Sequence, residues 1–332
     1  MSALGVQIPI RKRLVMYTIG VDLGGTNIAV GLCDENLNIV EKMSVRTGGE
    51  RPADEIVKDM ADVSRELIEK HSLSLNDIEY VGIAIPGAVV PECGKIEFTS
   101  NLPFVEYPIT EKFKELLPVA KVLINNDANA AALGEALAGA ARGTRSSIMI
   151  TLGTGVGGGV IIDGKIFAGG LNSSGTELGH TVIVKGGRPC GCGRRGCWET
   201  YASATGLTHS TKERLEELSE KGISSLMFSS PKISARTAFD AARKGDVEGQ
   251  RVVDEFIEYL ALGVTDMVNI FQPEIVIIGG GISAEGDFLI NPLTAIVDSE
   301  QYTKRNAVRT KIVAAVLGND AGIIGAAGLG KV

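Results

Sequence analysis

Two stretches of this chain repeat one design. "TIGVDLGGTNIAVGLCD" (residues 18–34) and "IMITLGTGVGGGVIIDG" (residues 148–164) each read as strand, Gly/Thr turn, strand. A chain that builds the same hairpin twice is constrained to an internally duplicated α/β protein. Its 332 residues suit that reading, at roughly 100–200 residues per domain. No low-complexity linker separates the halves, so a tight hinge with a cleft is expected.

In the first half, Tyr17–Asp22, Asn27–Cys33 and Asn38–Val45 form an antiparallel meander. Pro52–Lys70 carries helical periodicity, "YVGIAIPG" is a buried strand, Glu111–Leu117 a short helix and "AKVLINND" a further strand. An alanine-rich helix from about Asn129 to Ala141 leads into the second hairpin. Helices then dominate from about Ala204 to Phe271. They are followed by the strand "EIVIIGGG", a helix, the strand "KIVAAVLG" and a last Gly/Ala-rich helix from about Ala321.

The charge excludes some partners. A net charge of -7 gives no concentrated basic face for a nucleic-acid backbone, so a small-molecule partner is expected. No run of about 18 apolar residues offers a membrane span, and the basic cluster near the start follows the short apolar part, the reverse of a secretory signal. The expected location is the cytoplasm, where thiols stay reduced and clustered cysteines serve as metal ligands or redox groups.

The glycine turns point to phosphate. Glycine lets backbone N–H groups approach phosphate oxygens, and a threonine hydroxyl adds a donor. Asp22, Gly24, Gly25, Thr26 and Asn27 form the first such turn and Gly153, Thr154 and Gly155 the second, two loops that can close on one polyphosphate. Gly280 and Gly281 follow the strand Glu274–Ile278, where they can admit a base or ribose. A plain structural turn explains any one of these alone. No Gly-Lys-Ser/Thr follows the glycines, so this is not a P-loop. The first turn leads into a strand rather than a helix, which disfavours a dinucleotide-binding unit.

Together "DLGGTNIAVGL", "GIAIPG", "NDANAAALGE", "LGTGVGGGVI", "TELGH" and "CGCGRRGCWE" resemble the ROK sugar kinases, and most nearly the bacterial glucokinases among them, from about Met16 to the C-terminus. The resemblance implies an actin-like ATPase (ribonuclease H-like) duplicated α/β fold with an interdomain cleft. It divides the chain into a tail over residues 1–15, a small domain over 16–128 with 315–332, and a large domain over 129–314. The implied reaction is ATP-dependent phosphorylation of glucose at the 6-hydroxyl, with Mg²⁺. Kinases of N-acetylmannosamine, N-acetylglucosamine, fructose or allose are the alternatives. Sugar-responsive repressors of the family carry a DNA-binding region ahead of the first turn; only about 16 residues precede the first strand here, and the kinase is expected. A homodimer or homotetramer is the family expectation.

By this resemblance Asp127 is the catalytic base, although by itself it reads equally as a helix cap. A pKa near the ordinary value of about 4 would suffice for the role. Asp22 is suited to an outer contact with Mg²⁺. The sugar shell comprises Gly87, Asn101, Asn126, Asp127, Glu177, His180 and Glu199. His180, Cys190, Cys192 and Cys197 read H-x9-C-x-C-x4-C, a donor set for a closed structural Zn²⁺ site. Gly191, Gly193 and Gly196 would let the loop 180–197 fold tightly, and the ion would pin Glu177 and Glu199 on either side of it. Cys33 and Cys93 lie outside the cluster. One departure is Thr176, where the family often has glycine before the glutamate of E-x-G-H.

Overall fold

In a computed structural model the chain is described over residues 16–171 and 175–332; the tail expected over residues 1–15 lies outside the described residues. The elements run β1 (Tyr17–Leu23), β2 (Asn27–Cys33), β3 (Ile39–Arg46), α1 (Ala53–Lys70), β4 (Ile78–Ile85), β5 (Ala88–Val90), β6 (Lys95–Phe98), β7 (Val105–Tyr107), α2 (Ile109–Leu116), β8 (Val122–Asn126) and α3 (Asp127–Ala138). The second half runs β9 (Ser147–Leu152), β10 (Val156–Ile162), β11 (Lys165–Phe167), α4 (Glu199–Ala202), α5 (Ala204–Lys221), α6 (Ala235–Arg243), α7 (Val247–Phe271), β12 (Ile275–Gly279), α8 (Asp287–Glu300), β13 (Lys311–Ala314) and α9 (Ala321–Gly328).

The duplication is real in three dimensions. The two five-stranded sheets have orders β3-β2-β1-β4-β8 and β11-β10-β9-β12-β13. In each, the hairpin strands pair antiparallel and the later strands add in parallel. The hairpins end in matching register, Leu23 opposite Ile28 and Leu152 opposite Val156, so the two glycine turns occupy equivalent sheet ends. The parallel strands are covered on both faces and read as unbroken apolar runs; β12 is buried at every position.

The first sheet packs α1 on one side, through Ile56, Val57, Met60 and Leu67, and α9 on β1 and β4. The second sheet packs α3 on β9 and β10, and its other main core joins α5–α8 around Trp198, Phe239, Phe256 and Leu260. Helix α9 therefore follows a strand of the second sheet but covers the first. It can lie so close because glycine stands beneath it: a Cβ on Gly82 would sit 1.8 Å from the Ala326 carbonyl oxygen, and one on Gly20 would sit 2.0 Å from that of Ile323.

Two details differ from the sequence reading. Helix α3 starts at Asp127 rather than about Asn129, because Asn126 caps it: the Asn126 side chain accepts from the backbone N–H groups of Ala128 and Asn129. A separate three-stranded sheet, β5-β6-β7, also forms beside the first. Its strands are three or four residues long, interrupted by Pro91 and by Gly94 at φ +65°, which leaves too short a run for alternation to register. Gly82→Ala should lower the thermal unfolding midpoint measured by circular dichroism, by overpacking worth about 1–3 kcal/mol; an unchanged midpoint would show that α9 does not bear on β4.

Candidate functional site

Between the sheets lies a cleft of about 1200 Å³. Its walls include Asp22, Gly24, Gly25, Thr26 and Asn27 from the first turn, Gly153 and Gly155 from the second, Gly280 and Gly281 after β12, and Asp127 at the head of α3. Glu177, His180 and Glu199 close one end, and the segment from Gly318 to Gly322 adds a further wall. Thr154 is exposed and stands apart from these lining residues, as do Gly87, Asn101 and Asn126. The last three sit nearby in the first half: the Asn126 amide donates to the Gly87 carbonyl at 3.1 Å. The Asn101 carbonyl lies 3.0 Å from where a Cβ on Gly49 would stand.

The first turn is held by its neighbour strand. Gly24 N–H donates to the Asn27 carbonyl at 2.9 Å, and the buried Thr47 hydroxyl donates to the Gly24 carbonyl at 2.7 Å. In the second turn, Gly153 N–H donates to the Gly155 carbonyl at 3.0 Å. Gly280 adopts φ +83°, and a Cβ there would sit 2.4 Å from the Leu152 carbonyl oxygen, so the third glycine run is pressed against the strand that leads into the second turn.

Asp127 is freed from capping duty by Asn126, and one of its oxygens lies 2.8 Å from the Ala128 N–H. Its pKa is not the ordinary one expected from sequence. Burial, with the Glu177 charge adding to it, raises the Asp127 carboxyl above its usual range. Asp22 is pushed up to about 6, chiefly by burial and further by the charge of Asp127. The first turn of α9 rests on it, since a Cβ on Gly322 would come within 2.3 Å of Asp22 Oδ2.

Glu177 leads directly into the short 3-10 turn Leu178–His180, and two isolated bridges, Val182 to Cys197 and Pro189 to Arg195, fold the following loop back on itself. The ligand atoms of His180, Cys190, Cys192 and Cys197 all lie within 4.8 Å of one another. Cys190 Sγ is 3.5 Å from His180 Nδ1, and Cys192 Sγ is 3.7 Å from Cys197 Sγ. Tetrahedral bonds of about 2.3 Å to sulfur and about 2.0 Å to nitrogen would set the sulfur–nitrogen separation near 3.5 Å and the sulfur–sulfur separation near 3.8 Å, so the donor set fits such an ion. Gly193 and Gly196 adopt φ +86° and +79°, and a Cβ on Gly196 would strike the Val184 carbonyl at 1.7 Å. Gly191, expected to share this work, has no positive φ and open space around it.

Glu199 joins the loop to the second glycine turn. Glu199 Oε1 accepts from the Cys190 thiol at 3.0 Å, while its Oε2 lies 2.5 Å from where a Cβ on Gly155 would stand. Two supports escaped the sequence reading. Arg188 stacks 4.8 Å over the Tyr201 ring and donates to the Thr200 carbonyl and to Glu213. Trp198 is fully buried over Gly263 and donates to the Tyr259 carbonyl at 2.9 Å. Their signal was only position, since both lie inside or beside the cysteine loop. Thr176 sits at φ +63°, a left-handed backbone that β-branched residues rarely adopt, so its departure from glycine places strain next to Glu177.

Two matching sheets about a cleft with a buried carboxylate at its floor define an actin-like ATPase fold. The chain belongs to the ROK family, whose profile matches residues 18–332. It is 39% identical to the glucokinase of Thermotoga maritima over 316 residues, 94% of this chain and 96% of that one. To the glucokinase of Halalkalibacterium halodurans it is 36% identical, covering 95% of each. The crystal structure of a ROK family glucokinase from Streptomyces griseus in complex with glucose and AMPPNP superposes with a TM-score of 0.75 at 34% identity, over 94% of this chain and 98% of that one.

The electrostatic coupling at the cleft floor can be read directly. In a carboxyl-labelled NMR titration of the protein without nucleotide, Asp22 should titrate with a midpoint at about 6. In Asp127→Asn the midpoint should fall only in part, because burial remains when the neighbouring charge is gone. A midpoint unmoved by the substitution would show that the two carboxyls do not sense each other.

Proposed function

We propose that this chain is a glucokinase that transfers the γ-phosphoryl group of ATP to the 6-hydroxyl of glucose. The observation that carries the reading is Asp127, a half-buried carboxylate that lines one cleft together with both glycine turns and with Glu177, His180 and Glu199. In this reading the 6-oxygen bonds to the γ-phosphorus, the bond from that phosphorus to the β-bridging oxygen breaks, ADP leaves, and the hydroxyl proton passes to Asp127. A base with a raised pKa is better matched to an alcohol proton than an ordinary aspartate.

The first and second turns hold the polyphosphate through backbone N–H groups, with Gly280 and Gly281 on the nucleoside side. Mg²⁺, held through Asp22, would neutralise phosphate charge. Asn101, Glu177, His180 and Glu199 pair the sugar hydroxyls; Asn126 fixes the Gly87 carbonyl that borders them. His180 Nδ1 faces the cysteines, so Nε2 is the nitrogen left for a sugar hydroxyl. Zn²⁺ in the Cys₃His set would hold Glu177 and Glu199 in place. The division into a small domain, 16–128 with 315–332, and a large one, 129–314, is part of the same reading and is supported by α9 covering β1 and β4.

The test is the initial rate with ATP and Mg²⁺ across glucose, fructose, mannose, allose, N-acetylglucosamine and N-acetylmannosamine. Glucose should give by far the highest kcat/KM; a leading acetylated sugar would reassign the acceptor within the family. Asp127→Asn should cut kcat by about 10²–10⁴ while glucose still changes the emission of Trp198, the chain's single tryptophan. A variant with near-native kcat would remove Asp127 from the role of base. A strong zinc chelator should abolish both turnover and the glucose-dependent emission change, and Zn²⁺ should restore them; full glucose affinity in the chelated protein would overturn the role given to the loop.

A further inference from the structure

Glu135 lies two turns along α3 from Asp127 and is fully buried. A carboxylate removed from water is costly unless its oxygens are satisfied. Here three backbone N–H groups do so: Oε2 accepts from Ala140 at 2.7 Å, and Oε1 accepts from Val316 at 3.0 Å and Leu317 at 2.8 Å. Gly139 leaves the room, since a Cβ there would stand 2.1 Å from Oε2. Only a group that accepts at both ends meets this arrangement. A glutamine would turn an NH₂ toward an N–H on one side or the other.

The far partners matter for the cleft. Val316 and Leu317 begin the segment that joins β13 to α9, and its next residues, Gly318, Asn319 and Asp320, line the cleft. The same segment delivers Gly322 onto Asp22. One side chain thus ties this wall of the cleft to the helix that starts at Asp127.

We propose that Glu135 is a positioning residue that sets the height of the 315–320 segment against Asp127, so that bound nucleotide and proton acceptor keep register. This rests on the kinase reading above. The sugar end of the cleft, built from Glu177, His180 and Glu199, is supported separately by the cysteine loop and does not depend on Glu135.

The experiment compares wild type with Glu135→Gln in the full, metal-loaded chain. Nucleotide affinity is read by calorimetry with ADP and as the KM for ATP, and sugar affinity by Trp198 emission with glucose and no nucleotide. Leaving one buried N–H unpaired should weaken ADP and ATP by about tenfold or more, with glucose affinity changed by less than about twofold. Should Glu135→Gln fail to fold, Glu135→Asp, which keeps both acceptors but shortens their reach, carries the same comparison. Unchanged nucleotide affinity, or equal losses for nucleotide and glucose, would reduce Glu135 to a general stabilising role and overturn the proposal. Failure of the kinase reading would look different: wild type itself would neither turn over glucose nor respond to it, while the ADP comparison would still report on the segment.

Discussion

Helices α3 and α9 touch through their backbones, and the geometry of the cleft follows from that contact. A Cβ on Gly325 would lie 1.7 Å from the Ala130 carbonyl, and one on Gly134 would lie 2.4 Å from that of Ala321. Since α3 covers the second sheet and α9 the first, this glycine seam is where the two copies of the fold are joined. It also sets the two buried carboxyls. Asp127 opens α3, and Asp22 lies under the first turn of α9. Dispersion grows with close approach, so a seam without side chains holds the halves together tightly over a small area.

Electrostatic strain is the cost of this floor. Asp22 and Asp127 line one poorly solvated space: beyond the effect of burial, the Asp127 charge disfavours ionisation of Asp22, and the Glu177 charge disfavours that of Asp127. The helix start offsets only part of the charge: Asn126 holds the cap, and the Ala128 N–H that donates to Asp127 Oδ1 does not outweigh burial. A cation at this floor would lower both pKa values together, so metal occupancy and the ionisation of the base are linked.

Much of this was legible in the sequence for identifiable reasons. The hairpin repeat announced the duplication because two-residue alternation and glycine turns are local signals. The His and Cys spacing announced a metal set because four such donors in eighteen residues (180 to 197) leave few other uses. What stayed hidden depends on distant partners. Gly20, Gly82 and Gly325 look like turn or strand glycines until α9 is laid across them. Glu135 reads as an ordinary helix residue, for its partners lie 181 and 182 residues further on. Thr154 shares a motif with the cleft-lining Gly153 and Gly155 yet is exposed and not among the lining residues. Asp127 read equally as a cap because the helix was expected to start at about Asn129; its start at Asp127 gives the cap to Asn126, and helix ends are the least certain feature of any sequence reading.

The contact between Glu199 and Gly155 has a mechanical meaning. Through it the cysteine loop and the second glycine turn abut, so Glu199 and that turn form a single preassembled piece. A sugar seated on Glu199 would keep its distance from that loop however far the cleft opened. The first turn is carried on the other sheet and clamped by Thr47. Opening and closing would thus act as a one-sided jaw, with the fixed side already gauged to the length of the bond to be made.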